Sequence, residues 1–188
     1  NNNHGTLVNG PTWTQGKVGG ALSFDGVDDW VSPPAMSFLG QSNAVFTVIA
    51  WVKPNVIGGT IIHNRNDDTG WSTGLLGFKT GKSAFYIYSN PFIYSTNSAN
   101  TGQWVFLVGI RNGSNNTHQL YENGVLVASG SGTYISSGGA HRFGIGRFAS
   151  DCCQMDPPGW FNGVIDEVRI YNRALSDAEI QAIYNATK

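Results

Sequence analysis

The stretch Phe46–Pro54, with the sequence FTVIAWVKP, is apolar at nearly every position and ends in a proline. A strand that is buried on both faces has such a continuous apolar run, because neither of its faces meets water. Proline lacks the N–H group that a sheet ladder needs, so Pro54 is expected to end the strand. The stretch therefore predicts a strand at the centre of a sheet.

On both sides of this strand, short runs of alternating apolar and polar residues are separated by glycine-rich turns. They include GALSFDG, GTIIHNRN, GLLGFKTGKSAFYIY and WFNGVIDEVRIYN. Asn123-Gly124 is the strongest hairpin signal, because both residue types tolerate the positive φ of a two-residue turn. We count about eleven strands with turn signals roughly every 8–12 residues, which predicts an all-β, two-sheet antiparallel sandwich or jelly roll.

One short helix is predicted at the C-terminal end, in LSDAEIQAIYN. Ser176 and Glu179 have the spacing of a capping box, and Ile180, Ile183 and Tyr184 lie on one helical face. We expect this helix to pack at the rim of the sandwich.

The composition limits the class of function. The 188 residues carry a net charge of −1, and 12% of them are charged. A nucleic-acid-binding domain would present a basic face, and a membrane span would need about 20 consecutive apolar residues. We therefore expect no nucleic-acid partner and no membrane insertion. The abundance of Gly, Asn, Ser and Thr is typical of extracellular modules, so we expect a secreted or cell-surface location.

Both ends of the sequence resemble a known family. NHGTLVNGPTWTQGKVGGALSFDGVDDWV and FNGVIDEVRIYNRALSDAEIQAIYN are similar to the laminin-G-like, concanavalin A-like jelly-roll modules of secreted bacterial and archaeal proteins. Between them, FTVIAWVKP, TGQWVFLVGIRNG and LYENGVLV follow the same pattern in order. The resemblance covers nearly the whole chain, which implies one domain over residues 1–188. Because the sequence begins at Asn1 and not with a signal peptide, we expect a monomeric module within a larger secreted protein. The resemblance also implies a curved sheet face, and glycan or protein binding more often than catalysis.

An acidic loop, FDGVDD, is a candidate metal site. Asp25, Asp28 and Asp29 are spaced closely around a glycine turn, and Ca²⁺ takes about six to eight oxygen ligands. The same side chains could instead cap local backbone N–H groups. Similar modules hold a structural Ca²⁺ at this rim, and the resemblance implies that its ligands here are Asp25, Asp28 and Asp166.

The acidic residues show no glycosidase pattern. A glycosidase needs two acids roughly 5–10 Å apart on either side of one bond. The chain has just three glutamates, Glu122, Glu167 and Glu179. Asp166 and Glu167 are adjacent, so they are expected on opposite faces of a strand. Zinc-protease and phosphate-loop motifs are missing from the sequence as well. We expect no enzymatic activity.

The two cysteines are adjacent, in SDCCQMDPPGW at residues 150–160. Cys152 and Cys153 could be free thiols, pair with another chain, or form a vicinal disulfide. A bridge between neighbours closes a minimal loop, so it would act locally by fixing a kinked backbone. Two prolines stiffen the same loop, and Trp160 offers an aromatic ring. We interpret the pair as a clamp that shapes a glycan-binding loop; alternatively, it only braces the loop and Trp160 fills the core.

Several other residues are weaker candidates for glycan contacts. By strand parity Tyr86 and Tyr88 lie on the curved sheet, and an arginine fork could bind hydroxyls or an acidic sugar's carboxylate. Each is also consistent with ordinary surface. The candidates are Tyr86, Tyr88, His63, Arg65, Trp71 and Arg147.

Together the patterns predict a non-catalytic carbohydrate-binding module. It would hold a polysaccharide or oligosaccharide at the curved sheet face and the rim loops of a jelly roll. The alternative is a structural or adhesive module that binds protein.

Overall fold

The structure is a computed structural model, and it describes residues 3–41, 43–66, 72–87, 91–133, 141–147 and 159–188. Within these residues the chain forms fourteen strands, a 3₁₀ turn at Ser37–Gly40 and one α-helix, α1 (Asp177–Thr187). The strands are β1 (Thr6–Val8), β2 (Thr12–Gln15), β3 (Gly20–Asp25), β4 (Trp30–Ser32), β5 (Val45–Pro54), β6 (Thr60–Asn66), β7 (Ser72–Lys79), β8 (Lys82–Ile87), β9 (Ile93–Tyr94), β10 (Val105–Asn112), β11 (Thr117–Glu122), β12 (Val125–Ser131), β13 (His141–Ile145) and β14 (Asn162–Tyr171).

In the described residues the strands form two seven-stranded sheets. The first sheet has the order β1-β4-β13-β6-β7-β8-β9, and the second sheet has the order β12-β11-β10-β5-β14-β3-β2. The strand pairs in both sheets are antiparallel. The predicted all-β jelly-roll sandwich is confirmed. The count exceeds the predicted eleven because strands of two to four residues, such as β1, β2 and β9, are too short to show a period.

Strand β5 is the central element that its sequence predicts. It lies between β10 and β14, and Pro54 is its last residue. Val48 and Ala50 belong to the apolar core between the sheets, whereas Ile49 and Trp51 belong to a second apolar cluster on the outer face of the second sheet. Both faces of the strand are therefore buried, which explains the unbroken apolar run.

Helix α1 covers that outer face. Ser176 and Glu179 form the predicted capping box, in which each side chain hydrogen-bonds the backbone of the other residue. Ile180 is fully buried in the second cluster, and the Trp51 indole N–H donates to Thr187 Oγ1 at 2.8 Å. The expectation that the helix packs at the rim is wrong. It packs on the face of the second sheet, because the large apolar side chains that β5 and β10 direct outward are buried beneath it. Within the described residues, the structure contains no helix with the length and apolar character of a membrane span.

Antiparallel pairing brings one set of loops to a single edge of the sandwich, which we call the loop rim. Backbone hydrogen bonds join these loops across the two sheets; for example, Phe161 N donates to Gly146 O and Thr60 N donates to Gly159 O. In the described part of the chain the loop rim comprises residues 9–11, 26–29, 55–59, 80–81, 95–104, 123–124, 146–147 and 159–161.

Candidate functional site

Three aspartates lie together on the loop rim, where β3 ends and β4 begins. Asp25, Asp28 and Asp29 each offer a carboxylate oxygen, and these oxygens lie within 4.8 Å of one another. Asp25 and Asp28 are exposed, whereas Asp29 retains only 6% of its accessible surface. We call this group the aspartate cluster.

Local hydrogen bonds hold the aspartate cluster in a tight turn. The backbone N–H of Val27 donates to Asp25 Oδ1 at 2.8 Å, and the backbone N–H of Asp25 donates to Asp29 Oδ2 at 3.0 Å. The turn-capping role considered for these residues is therefore present. These two hydrogen bonds use one oxygen of Asp25 and one of Asp29, so the three carboxylates keep further acceptor capacity.

The pKa of Asp29 reflects its burial and its acidic neighbours. Burial raises the pKa of Asp29, and repulsion from Asp25 and Asp28 acts in the same direction. A hard cation would offset this repulsion, since it binds carboxylate and carbonyl oxygens. Three converging carboxylates fit part of such a coordination shell, and backbone carbonyls and water would have to supply the remainder.

Asp166 does not belong to the aspartate cluster, contrary to the expectation from the family resemblance. Asn162 is the β14 residue that pairs with Asp25, whereas Asp166 lies one position past Ile165, which pairs with Leu22. The Asp166 carboxylate accepts hydrogen bonds from the backbone N–H groups of Val18 and Glu167. The register of β14 thus moves Asp166 away along the strand, and Asp29 takes the third place.

Two tryptophans and an arginine form a cation–π group beside the cluster. The guanidinium carbon of Arg147 lies 4.5 Å from the ring centroid of Trp30 and 5.7 Å from that of Trp160. All three side chains are half-buried. They meet because Val31 of β4 pairs with Ile145 of β13, one residue from Trp30 and two from Arg147. We call this group the tryptophan–arginine site.

The tryptophan–arginine site and the aspartate cluster occupy the same end of the loop rim. Asp29 directly precedes Trp30, and Gly146 directly precedes Arg147. Gly146 has a φ of +81°, and a Cβ atom there would collide with the ring of Phe24. The glycine lets the chain turn tightly against the core, which directs the next residue onto the rim.

The neighbouring Phe161, rather than Trp160, fills the core. Phe161 is completely buried and packs edge-on against Phe24 at a ring-centroid distance of 6.3 Å. Trp160 stays half-buried at the surface with Arg147. Trp160 therefore does not fill the core, contrary to the alternative considered from the sequence. Trp30 also lies on the rim, although its sequence pattern is typical of a core residue. The sequence signal for the rim position was its place directly after the acidic loop.

Two of the weaker sequence candidates are buried. Tyr86 faces away from the core as predicted, but the ring of Phe92 stacks on it at 4.5 Å and leaves it 9% exposed. His63 is 3% exposed and lies opposite Gly144 in the sheet. Neither side chain offers the accessible surface that a glycan contact would need.

The remaining candidates are not placed by the structure. Tyr88, Trp71, Cys152 and Cys153 lie outside the described residues, and for Arg65 the structure describes only the backbone, which pairs with Arg142. Their predicted roles in glycan binding and the vicinal disulfide stay predictions.

The three glutamates each have a structural partner. Both carboxylate oxygens of Glu122 accept hydroxyl hydrogen bonds, from Ser83 at 2.7 Å and Ser95 at 2.9 Å. Glu167 pairs with Arg169 at a bulge of β14, and Glu179 belongs to the capping box.

Solved structures with the same fold include carbohydrate-binding proteins. Domain 4 of AbnA, an extracellular arabinanase from Geobacillus stearothermophilus in complex with arabinotriose, has a TM-score of 0.69 and 24% identity, over 96% of this chain and 82% of that chain. A heptameric SAP-like pentraxin from Limulus polyphemus has a TM-score of 0.64 and 16% identity, over 86% and 80%. A sialidase from Trypanosoma rangeli in complex with the inhibitor DANA has a TM-score of 0.66 and 17% identity, over 89% of this chain and 27% of the sialidase.

No curated protein matches this sequence. A laminin-G-type family model, described as the concanavalin A-like lectin/glucanases superfamily, matches residues 25–181. That range runs from the first residue of the aspartate cluster into helix α1, and it includes the tryptophan–arginine site. The chain therefore belongs to the laminin-G-like family of concanavalin A-like lectin and glucanase domains.

Proposed function

We propose that this domain is a non-catalytic carbohydrate-binding module that binds a glycan at the tryptophan–arginine site. The observation that supports this most directly is the placement of Arg147 against two half-buried indoles on an exposed edge of a rigid sandwich. Indole rings offer apolar surface to the C–H face of a sugar, and a guanidinium donates a pair of hydrogen bonds to hydroxyls or a carboxylate. A site of this kind combines apolar surface with a few fixed polar groups, as small-ligand sites do.

Preorganisation strengthens the proposal. Cation–π contacts hold the long Arg147 side chain in place before any ligand arrives, so binding loses less side-chain entropy. The likeness to an arabinanase domain in complex with arabinotriose supports carbohydrate as the ligand class.

The contacts of the three glutamates support the absence of catalysis by these residues. A catalytic acid must donate or accept a proton at the glycosidic oxygen. Among the described residues, Glu122, Glu167 and Glu179 are instead engaged with Ser83 and Ser95, with Arg169 and with the helix N-terminus, respectively.

Calcium is the cation that we propose for the aspartate cluster, where it would be structural. Next to Trp30, a bound ion would hold the β3–β4 loop and so fix one wall of the tryptophan–arginine site. An extracellular location agrees with millimolar calcium and with a vicinal disulfide at Cys152 and Cys153. Intact mass and thiol titration of the secreted protein test the disulfide, and two titratable thiols would contradict it.

The function is tested by glycan arrays and polysaccharide-gel retardation of the isolated domain, with and without Ca²⁺. Trp160→Ala and Arg147→Ala should each weaken retardation at least tenfold, which corresponds to about 1.4 kcal/mol. Trp13→Ala is the matched control, since Trp13 is 72% exposed on the edge strand β2 and belongs to no proposed site. Melting curves confirm that each variant is folded.

Three outcomes would contradict the proposal. If Trp160→Ala and Arg147→Ala both leave gel retardation unchanged, the glycan does not bind at the tryptophan–arginine site. Binding to a protein partner with no retention on any glycan would favour the adhesive alternative. Release of reducing ends from a polysaccharide would show that the domain is catalytic.

A further inference from the structure

A polar cavity lies farther along the loop rim, between the β9–β10 loop and the β11–β12 turn. Its volume is about 250 Å³, and its lining includes Asn100, Gln103, Trp104, Glu122 and Asn123. None of these residues was a candidate for glycan contact from the sequence, and none touches the tryptophan–arginine site.

The cavity is lined by one tryptophan and by several amide side chains. Trp104 packs against the second apolar cluster, is half-buried and lines the cavity. No hydrogen bond joins the side chain of Asn97, Asn100 or Gln103 to another described residue. Asn123 uses its Oδ1 to accept the N–H of Phe106, which leaves its amide nitrogen as a donor. Amide groups both donate and accept, which suits sugar hydroxyls.

Charge decides which kind of ligand the cavity suits. Glu122 is the one charged group among the described residues that line it, and no lysine or arginine does. Both oxygens of Glu122 already accept serine hydroxyls, which fixes the carboxylate at the wall. An acidic sugar would meet this negative charge without a balancing cation, so a neutral sugar fits better.

We propose that this cavity is a subsite for a neutral sugar residue, so that the loop rim holds an oligosaccharide of several residues rather than one terminal sugar. The inference rests on the proposed function and deepens it, because it assigns a second contact point and a chain-like ligand.

The rim between the two sites is continuous and polar. Gly102 N donates to Pro54 O at the end of β5, and Asn55 N donates to Asn162 O at the start of β14. The Asn55 and Asn162 side chains are hydrogen-bonded at 3.1 Å, and Asn162 Nδ2 donates to Asp25 O at 2.7 Å. A line of backbone and amide groups therefore links the β9–β10 loop to the aspartate cluster.

The separation of the sites suits a short glycan chain. In the second sheet, β10 is followed by β5, β14 and β3. Three strand spacings of about 4.8 Å each place the start of β10 about 14 Å from the end of β3, where the aspartate cluster begins. The tryptophan–arginine site follows that cluster, at Trp30 of β4 in the first sheet. One sugar ring cannot reach both sites, whereas an oligosaccharide of several residues can.

The test follows the tryptophan indole N–H signals of ¹⁵N-labelled domain by NMR. The probes are neutral oligosaccharides of increasing length from arabinan and from xylan, and Trp104→Phe assigns the Trp104 signal. We expect the Trp104 signal to shift on titration, and to shift still in Trp160→Ala. Asn100→Ala with Gln103→Ala should lower the affinity for the longest oligosaccharide about tenfold, as two lost hydrogen bonds would. Gln15→Ala, an exposed amide at the far end of β2, is the matched control.

The outcomes separate the two proposals. If Trp30 and Trp160 signals shift while Trp104 does not, or if the double variant binds the longest oligosaccharide as well as wild type, the second subsite is refuted and the proposed function stands. If no indole signal shifts with any probe and the glycan screen also finds no ligand, both proposals fall.

Discussion

Replacing Glu122 by alanine should lower the free energy of unfolding of the domain. Glu122 ends β11 in the second sheet, whereas Ser83 and Ser95 belong to the edge of the first sheet, so the carboxylate ties the two sheets together at the rim. The two serines are 0% and 1% exposed. Alanine would leave two buried hydroxyls without their acceptor, at a cost of about 1–3 kcal/mol each.

The adjoining cavity lowers this cost. Its volume of about 250 Å³ is open to solvent, so water can reach the serine hydroxyls once the carboxylate is removed. We therefore expect a loss of about 2–4 kcal/mol rather than the full sum. For a domain of this size, each kcal/mol lowers the melting temperature by about 2–4 °C, so the shift should be about 5–15 °C.

Differential scanning calorimetry and urea unfolding measure the effect, with Glu122→Gln as the matched control. Glutamine keeps one acceptor oxygen and adds a donor that a serine hydroxyl can accept, so it should lose less than half as much stability. An alanine variant as stable as wild type would refute the role of Glu122 as a tie between the sheets. Equal losses in both variants would show that charge, and not hydrogen-bond number, carries the effect.

Three further predictions concern pH, helix docking and metal. Burial and the neighbouring Arg111 lower the pKa of His118. A histidine whose pKa is lower in the folded state destabilises the protein as the pH falls below about 6.5. His118→Gln should therefore flatten the decline of melting temperature between about pH 6.5 and 5, whereas the control His4→Gln should not. Thr47→Val should cost about 1–3 kcal/mol in urea unfolding, because the buried hydroxyl donates to a carbonyl and accepts an N–H in the segment before α1; unchanged stability would contradict that role. EDTA should lower the melting temperature and Ca²⁺ restore it in wild type but not in Asp28→Asn, and a metal-independent wild type would retire the calcium proposal.

Features that depend on neighbouring residues could be predicted from the sequence. The two-faced burial of β5 follows from its unbroken apolar run, and the capping box of Ser176 and Glu179 needs only a spacing of three residues. The Asn123-Gly124 turn is confirmed, with φ values of 51° and 82°. The calcium hypothesis at Asp25 and Asp28 has the same local basis, since both lie in one short loop.

Features that depend on register and on packing between sheets could not be predicted. Asp166 lies four positions along β14 from Asn162, the residue that pairs with Asp25, and nothing within β14 reveals which residue of β3 it pairs with. The apolar run of β5 does not show which element covers its outer face, so the sequence did not predict that α1 packs there.

The sequence by itself determined the class of fold, the central strand, the helix and the acidic loop, because each is written in residues that are neighbours in the chain. Only the tertiary structure decided that Trp30, Arg147 and Trp160 meet, and that Trp104 and Glu122 line a cavity on the same rim. The physical reason is that these contacts arise where antiparallel strands from distant parts of the chain end at one edge, and that edge is set by long-range pairing rather than by local preference.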